Sequence, residues 1–213
     1  MLKFAPSAIY LFIALSLGVS SYTYLGQNIE TLRIQSLLSK RELNKTRDLA
    51  PVAEQVVKDS QQGYFTTAHD LTMRAKLLQW HDYLNGNNAS AQQIDTLLKQ
   101  SRNLRPSWAP TYLELYRQAV GAGDQSAVEH YLQLAMQFGP QQKRTKLAYI
   151  EHIFSRWPQA SLDEKVHASQ ELIRLASKWN YKQQVSDMIH YSNAKVEMCN
   201  LLRFNQIAPK SCR

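Results

Sequence analysis

Six histidines are the first candidates for acid–base or metal chemistry in this sequence, and their spacing argues against both. His69, His81, His130, His152, His167 and His190 include no pair four residues apart and no His-Glu-x-x-His. No helix face therefore carries two metal ligands beside a general base. Glu129–His130 and Glu151–His152 are adjacent, but successive side chains on a helix point about 100° apart, a poor geometry for a dyad. The histidines are expected at exposed or capping positions. Gly-x-Ser-x-Gly, a Walker loop, Gly-x-Gly-x-x-Gly and Cys-x-x-Cys are all missing, which removes the common hydrolase, nucleotide and redox signatures. No catalytic residue, cofactor site or metal site is expected, and the chain reads as a protein that is not an enzyme.

Cys199 and Cys212 are the two cysteines, too few for a four-cysteine zinc site. A bridge between them would pin the C-terminal tail to the last helix; the alternative is a buried Cys199 beside Leu202 and an inert, free Cys212. The aromatic side chains could form sugar-stacking platforms. However, Trp80, Trp108, Trp157 and Trp179 fall inside or at the ends of apolar helical stripes, where burial of a large ring favours packing over ligand contact.

These residues need a scaffold, and the composition tilts it toward helix. The 213 residues include 44% hydrophobic side chains but only 7 Gly and 7 Pro, few for a fold built from hairpin turns. The net charge of +8 is uneven: residues 142–213 hold 12 basic against 6 acidic side chains, whereas 61–141 hold 6 of each. A basic last third attracts polyanions, acidic polysaccharide among them. No zinc-finger, RRM or basic-zipper pattern accompanies the charge, so nucleic acid is not an expected partner.

The N-terminus carries the strongest physical signal. Lys3 is followed by a stretch from Phe4 to Leu25 without a charged side chain, about the 20 residues a helix needs to cross a bilayer core. Two fates compete: a retained anchor, or cleavage after a small residue such as Ser21. The retained anchor is preferred, because the apolar run continues through Tyr22, Tyr24 and Leu25, an aromatic edge suited to a bilayer interface. Residues 7–25 would then sit in a bacterial inner membrane as a single span. Arg33, Lys40, Arg41 and Lys45 beyond the span favour a cytoplasmic main domain by the positive-inside rule. The cysteine pair and the indifference of long domains to flanking charge favour the periplasm instead, the orientation expected here.

After the anchor at residues 1–26, residues 27–60 read as amphipathic stalk helices, with Ile29, Leu32, Leu37 and Leu38 forming a stripe. Pro51 ends the first, Val52, Val56 and Val57 make a short stripe, and Gln61-Gln62-Gly63 is a plausible turn. Residues 61–213 then repeat one figure: two apolar-striped helices closed by proline, with Pro106 and Pro140 34 residues apart. That is the period of tetratricopeptide (TPR) repeats, helical hairpins that bury their apolar faces by stacking. Helices follow over 146–157, 162–179, opened by a Ser161–Glu164 capping box, and 181–202. The expected fold is all-α: a short TPR-like solenoid behind one transmembrane helix. In such hairpins the first helix lines a groove, which here would expose Leu113 and Arg117 to a partner.

Residues 103–115 (Asn-Leu-Arg-Pro-Ser-Trp-Ala-Pro-Thr-Tyr-Leu-Glu-Leu) and 130–140 (His-Tyr-Leu-Gln-Leu-Ala-Met-Gln-Phe-Gly-Pro), with Trp157 and the cysteine-bearing tail, resemble the VpsP family of bacterial polysaccharide biosynthesis proteins. The likeness covers residues 43–213; Gln141-Gln142-Lys143 departs from the family pattern. The resemblance implies a membrane-anchored helical accessory of an exopolysaccharide or biofilm-matrix system. Its partners would be protein subunits of a polysaccharide assembly complex, and it carries no catalytic residue across.

Overall fold

A computed structural model describes residues 5–39, 55 and 66–212, and every regular element among them is helical. Helix α1 spans Ala5–Ser39 without a break at the expected anchor boundary. Its segment Ile9–Gly26 has a mean hydropathy of 1.4 and no burial; at 1.5 Å per residue it covers about 27 Å, close to the thickness of a hydrocarbon core. One helix is thus long and apolar enough to cross a membrane. Three of its hydroxyls are satisfied by the helix itself: Ser16 donates to the Ile13 carbonyl, Ser20 to that of Ser16 and Thr23 to that of Ser20, bonds that suit an apolar surround.

The lower part of α1 is rotated from the expected stripe. Ile29 and Leu32 are exposed, whereas Thr31 and Ile34 are buried. The Thr31 hydroxyl donates to Asp70 Oδ1 at 2.6 Å, and this polar tie, with Ile34 one turn on, sets the contact face. The break expected at Pro51, the Val52, Val56 and Val57 stripe and the turn at 61–63 lie outside the described residues.

The chain divides into two compact units, Met1–Pro106 and Ser107–Arg213, so the region expected as one array falls partly in each. In the first, α2 (Ala68–Asn85) and α3 (Ala91–Leu104) form an antiparallel hairpin. Thr67 and Asp70 make a reciprocal capping box at the start of α2, and Gly86 ends it in the left-handed region, a conformation that costs a residue with a Cβ. Asp82 accepts from both the backbone N–H and the hydroxyl of Ser90, fixing the entry to α3. Ile94, Leu97 and Leu98 are buried, and their spacing is the one legible in sequence.

The second unit holds α4 (Ala109–Ala122), α5 (Gln125–Phe138), α6 (Lys143–Ser155), α7 (Leu162–Ala176), α8 (Lys182–Tyr191) and α9 (Lys195–Phe204), with short 3-10 turns at Trp179–Tyr181 and Lys210–Cys212. Gly123 ends α4 in the left-handed region and Asp124 caps α5. Ser161 and Glu164 form the expected capping box on α7. The helix expected over 181–202 is two helices. At the break, the Ser192 hydroxyl accepts from the Ala194 N–H, a local bond that competes with helix continuation. Apolar side chains of α6 to α9, among them Ile150, Ile153, Leu172, Leu175, Val185, Ile189, Met198 and Leu202, make one core. Val166, expected inward on α7, is exposed.

Candidate functional site

In the second unit, α4, α6 and α8, with the start of α5, line an open groove of about 620 Å³. Helix α6 contributes more of it than any other helix, and Arg144, Ala148, Glu151 and Ser155 recur at intervals of three or four, one helical stripe. Tyr116 and Arg117 come from α4, and Tyr191 and Asn193 from the end of α8 and the turn beyond it.

Arg117 does reach this groove; Leu113 does not. Leu113 is 1% exposed and lies in the core. Helix α4 packs against both α5 and α6, so its apolar face is wide and takes in Leu113, while the long Arg117 stem carries its charge outward. The Arg117 Nη1 lies 2.6 and 2.7 Å from the two carboxylate oxygens of Glu114, itself buried. Burial works against the guanidinium charge, but Glu114 outweighs it, and the Arg117 pKa moves up.

A second arginine is equally engaged. Arg156 Nη1 is 2.7 Å from Glu129 on α5 and Nη2 is 3.0 Å from Glu164 on α7, so this residue at the end of α6 ties three helices. Glu164 sits below the ordinary carboxylate range, first through the Ser161 backbone and side-chain bonds of its cap and then through Arg156. Arg144 lines the groove and is exposed.

The groove's titratable groups are set by burial. His152, expected at an exposed or capping position, is buried, and its ring meets the Tyr116 ring edge-on at 5.9 Å. Burial, then the nearby Arg156 charge, pulls its pKa down, which favours the neutral imidazole. Burial raises the Glu151 carboxyl, with Arg117 opposing. Burial and the Glu151 charge push the Tyr116 phenol up to about 12. Among the described lining residues Glu151 is the one carboxylate, whereas hydrolysis of a glycosidic bond ordinarily uses a pair. No group of three His, Cys, Asp or Glu among the described residues is placed to hold a metal ion. The arrangement offers an exposed tyrosine, amide and guanidinium donors and one carboxylate, a surface for recognition.

At the C-terminus, Cys199 and Cys212 are joined as a disulfide with their Cα atoms 5.5 Å apart. Cys199 is buried in the core, and Ile207 and Cys212 pack against it. Trp179 departs from its expected core position: it is 85% exposed, because α7 ends at Ala176, before it. Sequence reasoning had found Arg117 and the cysteines but missed Glu151, His152 and Tyr191. The signal was present in the polar spacing of Arg144, Ala148, Glu151 and Ser155.

No protein-family model, curated protein or solved structure matches the chain. The groove and the helical arrangement therefore carry the functional reading.

Proposed function

We propose that the chain is a membrane-anchored, TPR-like adaptor of an exopolysaccharide biosynthesis or export complex, a relative of the VpsP family. In this reading residues 7–25 hold it in the bacterial inner membrane and the helical region faces the periplasm. The observation that carries the reading is the neighbour pattern of the second unit. The first helices of successive hairpins touch, α4 with α6 and α6 with α8, as do the second helices α7 and α9. Stacked hairpins pack in this way, and the concave face they leave is where such proteins hold partners. The 34-residue interval between Pro106 and Pro140 supports the same arrangement.

The groove's chemistry favours a protein partner. Two of its three arginines, Arg117 and Arg156, are already paired with Glu114, Glu129 and Glu164, which weakens its field for a polyanion, while Tyr191, 81% exposed, offers the kind of aromatic anchor that dominates protein interfaces. The disulfide supports the periplasm, where such bonds persist. Capture of the full-length tagged chain from native membranes is expected to recover synthase, polymerase or export subunits of a polysaccharide system. Unchanged surface polysaccharide in a deletion strain would sink the reading.

A further inference from the structure

A second concave site lies at the other end of the unit. The start of α8 and the tail after α9 enclose a groove of about 530 Å³. One wall carries Lys182, Gln183 and Ser186; the other carries Gln206, Pro209 and Lys210. Lys182 and Lys210 are exposed, and no carboxylate is among the described lining residues. Ser177 at the end of α7 belongs to the lining, and the residues between it and Lys182 are Lys178, Trp179, Asn180 and Tyr181. Trp179, the most exposed tryptophan of the unit, is two residues from the lining Ser177 and three from the lining Lys182, so its backbone lies beside the groove.

The second wall exists because the chain turns back. Gln206 adopts φ 60°, and the Ile207 N–H donates to the Leu202 carbonyl at 2.8 Å, a reversal that ends α9. The Cys199–Cys212 bridge closes the loop that carries Gln206 to Lys210, and the Ser211 N–H donates to the Ser186 hydroxyl at 3.1 Å. The wall is therefore held at both its ends and against α8.

We propose that this groove binds an acidic polysaccharide, with Trp179 as the stacking platform and the disulfide-closed tail as the fixed wall. A uronate residue presents three chemical features: an apolar C–H face, hydroxyls and a carboxylate. Trp179, beside the groove, supplies an exposed indole for the first. For the second, Gln206 supplies an amide, Gln183 its side-chain carbonyl and Ser186 its hydroxyl donor; the Gln183 Nε2 already donates to Asp187 and the Ser177 hydroxyl to the Ile173 carbonyl. Lys182 and Lys210 supply cations for the third, in a groove with no carboxylate among its described lining residues. This site shares no lining residue with the groove of α4, α6 and α8, and the proposal does not rest on the adaptor reading.

The test is calorimetric titration of the full chain, in neutral detergent, with oligogalacturonate. Neutral dextran, phosphatidylglycerol vesicles and polyglutamate serve as comparison probes. Binding of oligogalacturonate but not dextran is expected, with Trp179→Ala weakening it about tenfold. Lys182→Gln should lower the slope of log affinity against log salt by roughly one. The Cys199→Ser/Cys212→Ser double variant should also bind more weakly at unchanged helical content by circular dichroism. No binding at low salt, or binding indifferent to Trp179→Ala, overturns the proposal. So does a preference for the vesicles or for polyglutamate, which would make the patch a membrane-surface or acidic-protein contact. Equal binding with and without the bridge overturns the role of the tail.

Discussion

Two glycines of the second unit separate by the space around them. A Cβ at Gly139 would lie 2.6 Å from Ala109 Cβ, at the buried start of α4 where neither backbone can give way easily. Gly139→Ala is expected to cost about 1–3 kcal/mol, the usual range for overpacking. Gly121, inside α4 with nothing within 4 Å of an added Cβ, is expected to gain about 0.5–1 kcal/mol as alanine. Chemical denaturation of the two variants checks the pair, and equal effects would contradict this packing. His152 gives a pH-dependent counterpart. Burial and Arg156 lower its pKa in the fold, so the unfolded chain takes up the proton first. Its contribution is whole above the unfolded value of about 6.5 and is lost as pH falls through the folded value. His152→Gln should therefore flatten the fall in melting temperature between pH 7.5 and 5; parallel curves would contradict it. Neither Gly139's neighbour nor the burial of His152 was legible in sequence, because both contacts join residues from different helices.

At the scale of elements, signals local to the chain were readable. The Ser161–Glu164 box and the stripe Ile94, Leu97 and Leu98 have short-range causes and appear in the fold, and the helix break near Gly121–Asp124 falls at Gly123 and Asp124, with Gly121 still helical. The boundary at Ser192 was not readable, since Val185 and Ile189 before it and Met198 and Leu202 after it bury into the same core, so the apolar rhythm hardly breaks. Trp179 was misplaced for the converse reason: its stripe continues in sequence after the helix has ended at Ala176. The Cys199–Cys212 bridge closes a 13-residue separation, for which chain entropy gives about 3 kcal/mol. The Cys199→Ser/Cys212→Ser variant should lose about that much in urea denaturation. A loss near zero would show that the tail is held by Ile207 and its hydrogen bonds without the covalent link.

For the whole molecule, the uneven charge finds a structural explanation. Arg117 and Arg156 of the first groove are spent on carboxylates, and the groove with no carboxylate among its described lining residues lies between α8 and the tail. The protein partner proposed for the first groove and the acidic polymer proposed for the second would thus occupy separate sites. The function of a recognition surface was the least legible part of the sequence, since it depends on which side chains meet across helices and not on any motif. The adaptor reading is tested most directly by a photo-crosslinking amino acid placed at Tyr191, in the groove, and separately at Val166, exposed on α7 outside it. In native membranes the Tyr191 position is expected to crosslink to a subunit of a polysaccharide assembly complex, with the yield lost on Arg144→Glu and no such product from Val166. Equal crosslinking from both positions, or none from Tyr191, would contradict the groove as the partner site.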